Sequence, residues 1–248
     1  MVDQSLFSIK ETRRLTDSVF LSVLSGNTSS ITSPGQFINI RIPGLFLRRP
    51  ISICDCDHSH GLVTIVYKCV GRGTELLSSL PAGTNLDILT GLGNGYDLSR
   101  SGPSPVLIGG GVGIPPLYWL CKKLMCRGIR PHIVLGFNTA NESFLINEFR
   151  TLGPSSLSLA SADGTLEGSV KGFVTDALPD VYSYFYACGP LPMLRAVCQA
   201  SPVPGELSFE ERMGCGFGAC MGCSILTSSG SKRICKDGPV LRKEEIIW

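Results

Sequence analysis

The feature that most constrains this chain is a glycine-rich cysteine run, Met213-Gly-Cys-Gly-Phe-Gly-Ala-Cys-Met-Gly-Cys223, followed by Cys235. The spacing Cys215-x4-Cys220-x2-Cys223 matches the first three ligands of a plant-type [2Fe–2S] site, with the fourth thiolate returning from further along the chain. Such a core needs four thiolates converging on a compact inorganic unit. The interleaved glycines let the backbone bend tightly and aim N–H groups at the sulfurs. The remaining interval predicts a hairpin, with Ser224–Ser228 and Lys232–Cys235 as strands around a Ser/Gly turn. The competing readings are a zinc site with four cysteine ligands, or free structural thiols. Zinc prefers paired Cys-x2–4-Cys knuckles, and the second pair here is not one.

Composition sharpens this. The 248 residues hold 11 cysteines, an odd number, and no secretory signal opens the chain. That combination predicts a reducing, cytoplasmic compartment with some thiols kept for metal or redox chemistry. Hydrophobic residues at 43% permit a sizeable core, and a net charge of +2 argues against a nucleic-acid binder held by phosphate contacts. The longest charge-free apolar stretch, Pro105 to Cys121, is broken by glycines and prolines, so no membrane span is expected.

Three regions differ in texture, giving domains at 1–98, 99–203 and 204–248. The first reads as short strands near Leu6–Lys10, Val19–Leu24, Gln36–Ile42, Ile51–Cys54, Leu62–Val70 and Asn85–Leu89. Their alternation and regular spacing suggest an antiparallel barrel or sandwich, with one helix at Thr74–Leu80. The second alternates strands at Val106–Ile108, Ile133–Leu135, Leu157–Ala160 and Tyr184–Ala187 with helices at Pro115–Cys126, Ser143–Thr151, Gly172–Leu178 and Pro192–Ala200. This predicts a parallel sheet covered by helices.

Val106-Leu-Ile-Gly-Gly-Gly-Val-Gly-Ile-Pro-Pro-Leu117 is a strand, a glycine turn and a helix start. Gly109, Gly110, Gly111 and Gly113 would let a pyrophosphate approach the backbone at a helix N-terminus, although plain packing also uses such turns. Cys188, in Ala187-Cys-Gly-Pro190, ends a later strand, where ligands of parallel sheets sit. In the first region, Arg49 and Ser52 open a strand and offer a charge and a hydroxyl to a phosphate or flavin edge. Gly73 and Thr74 begin a helix whose N–H groups can face an anion. Each of these has an ordinary structural explanation when taken singly. Cys54-Asp-Cys-Asp-His-Ser-His60 has the composition of a metal tract but falls at a hairpin turn. Trp248 has no assignable role.

With these motifs in this order, the chain resembles the ferredoxin–NADP reductase superfamily and, within it, the electron-transfer subunits of class 1B dihydroorotate dehydrogenase. The matching segments include Ser33-Pro-Gly-Gln-Phe37, Arg49-Pro-Ile-Ser52, Gly91-Leu-Gly-Asn-Gly95, the glycine turn, Ala187–Pro190, Glu210–Cys223 and Cys235-Lys-Asp-Gly-Pro239. The resemblance implies a mixed fold: an antiparallel β-barrel FAD domain, an α/β parallel-sheet nucleotide domain and a small C-terminal [2Fe–2S] domain. It implies FAD held by Arg49, Pro50, Ile51, Ser52, Val66, Tyr67, Lys68, Gly73 and Thr74. NAD would bind as substrate at Gly109–Pro116 and near Cys188, and Cys215, Cys220, Cys223 and Cys235 would ligate the cluster. FAD would convert between two-electron and one-electron traffic, with no acid, base or nucleophile required of this chain. The implied partner is an FMN-bearing catalytic subunit that oxidises dihydroorotate in pyrimidine biosynthesis, in a heterotetramer of two of each. A flavin/iron–sulfur subunit of a hydrogenase or a ferredoxin-dependent transhydrogenase is the alternative. The residues themselves do not choose between NAD and NADP: Leu135-Gly-Phe-Asn138 carries neither an acid for a ribose hydroxyl nor an arginine for a phosphate.

Overall fold

The computed structural model describes residues 2–248. The first region closes into a six-stranded antiparallel barrel. Its strands are β1 (Asp3–Arg14), β2 (Val19–Ser25), β3 (Phe37–Arg41), β4 (Arg49–Asp57), β5 (Leu62–Lys68) and β6 (Asn85–Leu92), with helix α1 (Arg72–Ser79) after β5. Their order around the barrel is β1-β2-β5-β4-β3-β6. Alternate side chains such as Phe7, Ile9, Ile38 and Ile40 fill the interior, as the two-residue period of a strand requires. Closure leaves no unpaired edge. β1 and β4 run well past their predicted ends. β1 stays paired to both neighbours by means of a bulge between Ile9 and Glu11.

Next come β7 (Val106–Gly110), α2 (Pro115–Cys126), β8 (His132–Phe137), α3 (Ile146–Thr151), β9 (Ser156–Ser161), β10 (Val170–Lys171), β11 (Phe185–Cys188), α4 (Leu191–Ala200) and β12 (Gly205–Ser208). The chain ends with β13 (Ser224–Thr227), β14 (Gly230–Arg233), α5 (Ile234–Asp237) and β15 (Val240–Arg242). One sheet takes the order β10-β9-β8-β7-β11-β12-β15, all parallel except β15, which is antiparallel to β12. The sheet therefore crosses the boundary drawn at residue 203: β12 and β15 both come from the last segment. Their pairing buries Leu207 and Leu241.

Two predicted helices are shorter than expected. Gly172–Leu178 is a single 3₁₀ turn at Val174–Ala177, because Gly172 has φ of +145° and Pro179 follows closely. Before α3, Leu145 adopts a left-handed φ of +61°, which delays the helix to Ile146. The cysteine-loop hairpin also differs: its second strand is Gly230–Arg233, and Cys235 lies in α5 instead. Asp237 caps this turn by accepting from the Arg233 backbone N–H at 2.9 Å.

Helix α2 joins the two halves. Its Trp119, 1% exposed, belongs to the barrel core, while Leu117, Leu120 and Leu124 pack on the sheet side. Lys122 pairs with Asp55 of β4.

Candidate functional site

A cleft of about 310 Å³ separates barrel from sheet. Pro50, Ser52 and Lys68 line it from the barrel, Gly110–Gly113 and Cys188 from the sheet, and Met213 and Pro239 from the segments flanking the cysteine loop. A second cleft of about 380 Å³ continues over the C-terminal ends of β7 and β8, lined by Gly111, Gly136, Asn138, Phe173 and Met193 among others. Openings at the carboxyl ends of parallel strands are where this architecture accepts ligands.

The four turn glycines do different jobs. A Cβ on Gly110 would meet the Met193 sulfur at 2.4 Å, and one on Gly113 the Cys188 carbonyl oxygen at 2.3 Å. Gly109 is similarly crowded by Ile114. Only Gly111, with φ of +51° and nothing within 4 Å, faces open space. Packing therefore demands three of them, and Gly111 bares backbone to both clefts. Cys188 is buried, and burial pushes its thiol up to about 12. It is a neutral thiol at the strand end, not a thiolate.

On the barrel, Arg49 lies over Gly73, where a Cβ would clash with the guanidinium. Arg49 donates from Nη1 to the Leu47 carbonyl at 2.6 Å. Among the described residues its Nε and Nη2 have no hydrogen-bond acceptor, which leaves them for an anion. α1 has no side-chain cap, so its first N–H groups face the same place. Thr74 is occupied locally, accepting from the Val70 N–H and donating to the Gly71 carbonyl. Val66 and Tyr67 put their side chains into the core, and Tyr67 bonds Ser22. Ile51 is half-buried on β4. Of the β5 trio only Lys68 reaches the cleft. This arrangement suits a flavin nucleotide: a flat cleft wall at Pro50 and Ser52, with a cationic, N–H-rich corner beyond it for phosphates.

The cysteines gather in two pairs. Cys215 and Cys220 exchange backbone-to-sulfur hydrogen bonds of 3.5 and 3.4 Å, and Ala219 N–H donates to the Cys215 sulfur at 3.2 Å. Cys235 N–H donates to the Cys223 sulfur at 3.4 Å. Desolvation opposes ionisation of Cys215, but the N–H groups of Phe217, Cys220 and Ala219 bring it down to about 6. Among the described residues no three metal-binding side chains are arranged around one point. Two pairs of thiols fit a two-iron core, in which each iron takes two protein ligands. A single tetrahedral zinc would need all four around one point.

The Cys54–His60 tract forms no such group. His60 pairs with Asp57, while Cys54 is buried and its thiol is raised far above its ordinary range by desolvation. Trp248 does have partners: its indole N–H donates to the Cys198 sulfur at 3.3 Å, and its ring packs on Phe209. Phe209, which lines the cleft, and Asn39, which bonds the cysteine loop, have no sequence motif to announce them.

An antiparallel barrel facing a parallel sheet across one cleft, with a thiol loop at its rim, defines a flavin- and pyridine-nucleotide-dependent oxidoreductase of the ferredoxin reductase type. The solved structure of an NADH-dependent reduced ferredoxin-NADP oxidoreductase, studied for flavin-based electron bifurcation, matches with a TM-score of 0.88 and 30% identity, over 98% of this chain and 90% of that one. A ferredoxin NADP+ reductase from Neisseria gonorrhoeae with bound FAD and NADP shares the fold at a TM-score of 0.68 and 14% identity, over 79% of this chain and 89% of that one. Residues 210–247 match the iron-sulfur cluster binding domain of dihydroorotate dehydrogenase B. The electron transfer subunit of dihydroorotate dehydrogenase B (NAD(+)) from Fusobacterium nucleatum is 38% identical over 256 residues, 96% of each chain, and that from Bacillus caldolyticus is 38% identical over 261 residues, all of both chains. The chain belongs to this family of dihydroorotate dehydrogenase B electron transfer subunits.

Proposed function

We propose that this chain relays electrons between NAD and an FMN-bearing catalytic subunit that oxidises dihydroorotate to orotate, in a cytoplasmic heterotetramer of two of each. One observation carries the reading: a single cleft is lined by the barrel wall, the glycine turn and both flanks of the cysteine loop. Bound there, the nicotinamide, FAD and a [2Fe–2S] cluster supply hydride transfer and the conversion of two-electron into one-electron traffic.

The protein's part is binding and orientation. Arg49 and the backbone N–H groups at Gly73 and Thr74 would hold the FAD phosphates, Pro50, Ile51 and Ser52 would set its ring against the barrel, and Lys68 would complete that wall with Val66 and Tyr67 packed behind it. Gly109, Gly110, Gly111 and Gly113 receive the nicotinamide nucleotide, with Cys188 as a neutral neighbour. Cys215, Cys220, Cys223 and Cys235 hold the cluster. Cys220 is exposed, and Phe217 and Met221 beside it are 46% and 54% exposed. This apolar rim next to the cluster is where the partner would dock.

The test is Cys220→Ser in the assembled complex. Dihydroorotate-dependent NAD reduction should be lost while FAD is retained, and activity surviving without the cluster overturns the relay. The likeness to the bifurcating oxidoreductase supports a second reading, service in another flavin/iron–sulfur complex. Co-purification with a partner that reduces ferredoxin and ignores dihydroorotate would decide for it.

A further inference from the structure

We propose that Asn39, assisted by Asn94, is a positioning residue that fixes the cysteine loop against the flavin face of the barrel, so setting the flavin-to-cluster approach. The inference rests on the cofactor reading above. Asn39 sits on β3, where it pairs in register with Pro50, while Phe37 pairs with Ser52. Its Nδ2 donates to the carbonyl oxygen of Cys215 at 3.3 Å. One side chain therefore joins the strand next to the proposed flavin wall to the first cluster cysteine, 176 residues away.

Two observations set this contact apart from ordinary packing. Asn39 is 1% exposed, yet its Oδ1 has no hydrogen-bond partner. Burying an unpaired amide oxygen is costly, and an apolar residue would avoid it, so the retained amide is present for its donor. The loop is also shaped around it. Gly216 has φ of +79°, and a Cβ there would fall 2.2 Å from Asn39 Nδ2.

The other arm is clasped in the same way. Asn94, just past β6, donates from its backbone N–H to the Gly238 carbonyl at 2.8 Å. Its side chain donates to the Val240 carbonyl at 2.7 Å and accepts the Val240 N–H at 3.2 Å. The chain leaving Cys235 is thereby pinned to the barrel as well. Both arms of the thiol loop take their position from the flavin domain, and hydrogen bonding around a cluster tunes its potential.

The test uses the complete complex loaded with both groups. In Asn39→Leu, close in shape but without a donor, and in Asn39→Ala, iron, sulfide and FAD contents equal wild type and NADH bleaches the flavin at the wild-type rate. Cluster reduction then slows by about tenfold or more, and the electron paramagnetic resonance g-values of the cluster shift. Asn94→Ala reproduces the g-shift from the other arm. Wild-type g-values and wild-type cluster reduction in both Asn39 variants overturn the inference alone. If Asn39→Leu does not accumulate, Asn39→Ala and Asn94→Ala decide on the same two readouts. A wild-type chain that takes up FAD but no iron overturns the cofactor reading and this inference with it.

Discussion

Gly113 and Cys188 meet so closely that a Cβ on the glycine would lie 2.3 Å from the cysteine's carbonyl oxygen. This contact locks the glycine turn onto the end of β11, fixing the floor of the cleft proposed for the nucleotide. Gly113→Ala must push the two apart. The expected result is a rise of about tenfold or more in KM for NADH, with FAD content unchanged, measured by flavin bleaching against NADH concentration. Gly111→Ala has open space around it and should cost only about 1–2 kcal/mol of stability from its left-handed backbone, read by thermal melting.

Glu206 on β12 is buried and accepts the Asp97 N–H at 3.0 Å. Burial, with the Asp97 charge adding to it, pushes its carboxyl from 4.5 up to about 7. The folded state therefore holds a proton that the unfolded chain releases. This contribution to stability is complete below pH 4.5 and is lost as pH rises through 7. Glu206→Gln keeps an acceptor and removes the titration. It should match wild type near pH 4.5 and exceed it by roughly 1–3 kcal/mol at pH 8, measured by urea unfolding at the two pH values.

Trp119 fills the barrel core from a helix that also covers the sheet. Trp119→Ala should cost about 3–5 kcal/mol and loosen barrel from sheet together. Flavin release and loss of far-ultraviolet dichroism should then move to lower temperature in parallel. Dichroism moving alone would mean that the helix does not couple the halves.

Phe217 and Met221 stand exposed beside Cys220, and Met221 holds a left-handed φ of +62°. Strain retained at a non-glycine residue fits a side chain presented outward. Phe217→Asp and Met221→Asp should each weaken association with the catalytic partner by about tenfold or more. Iron content and NADH-driven flavin bleaching should stay at wild-type levels. Isothermal titration with the purified partner is the measurement.

Much of this protein was legible in one dimension because its signals are local. Four cysteines at fixed intervals, a glycine turn between strand and helix, and period-two alternation each lie within a few tens of residues. Local geometry alone then implies a thiolate core, a nucleotide turn and a barrel. What folding decided is non-local. β12 and β15 join the nucleotide sheet although they bracket the cysteine loop, because strand pairing is chosen by which apolar faces can be buried together. Gly172–Leu178 looked helical by pattern, but a glycine and a proline at its ends left room for one turn. Asn39 carries no motif at all, since a lone amide in a strand acquires meaning only when a loop 176 residues away closes over it. The spacing of the four cysteines was written in the chain itself, whereas the placement of their loop beside the barrel came from three-dimensional closure of the chain.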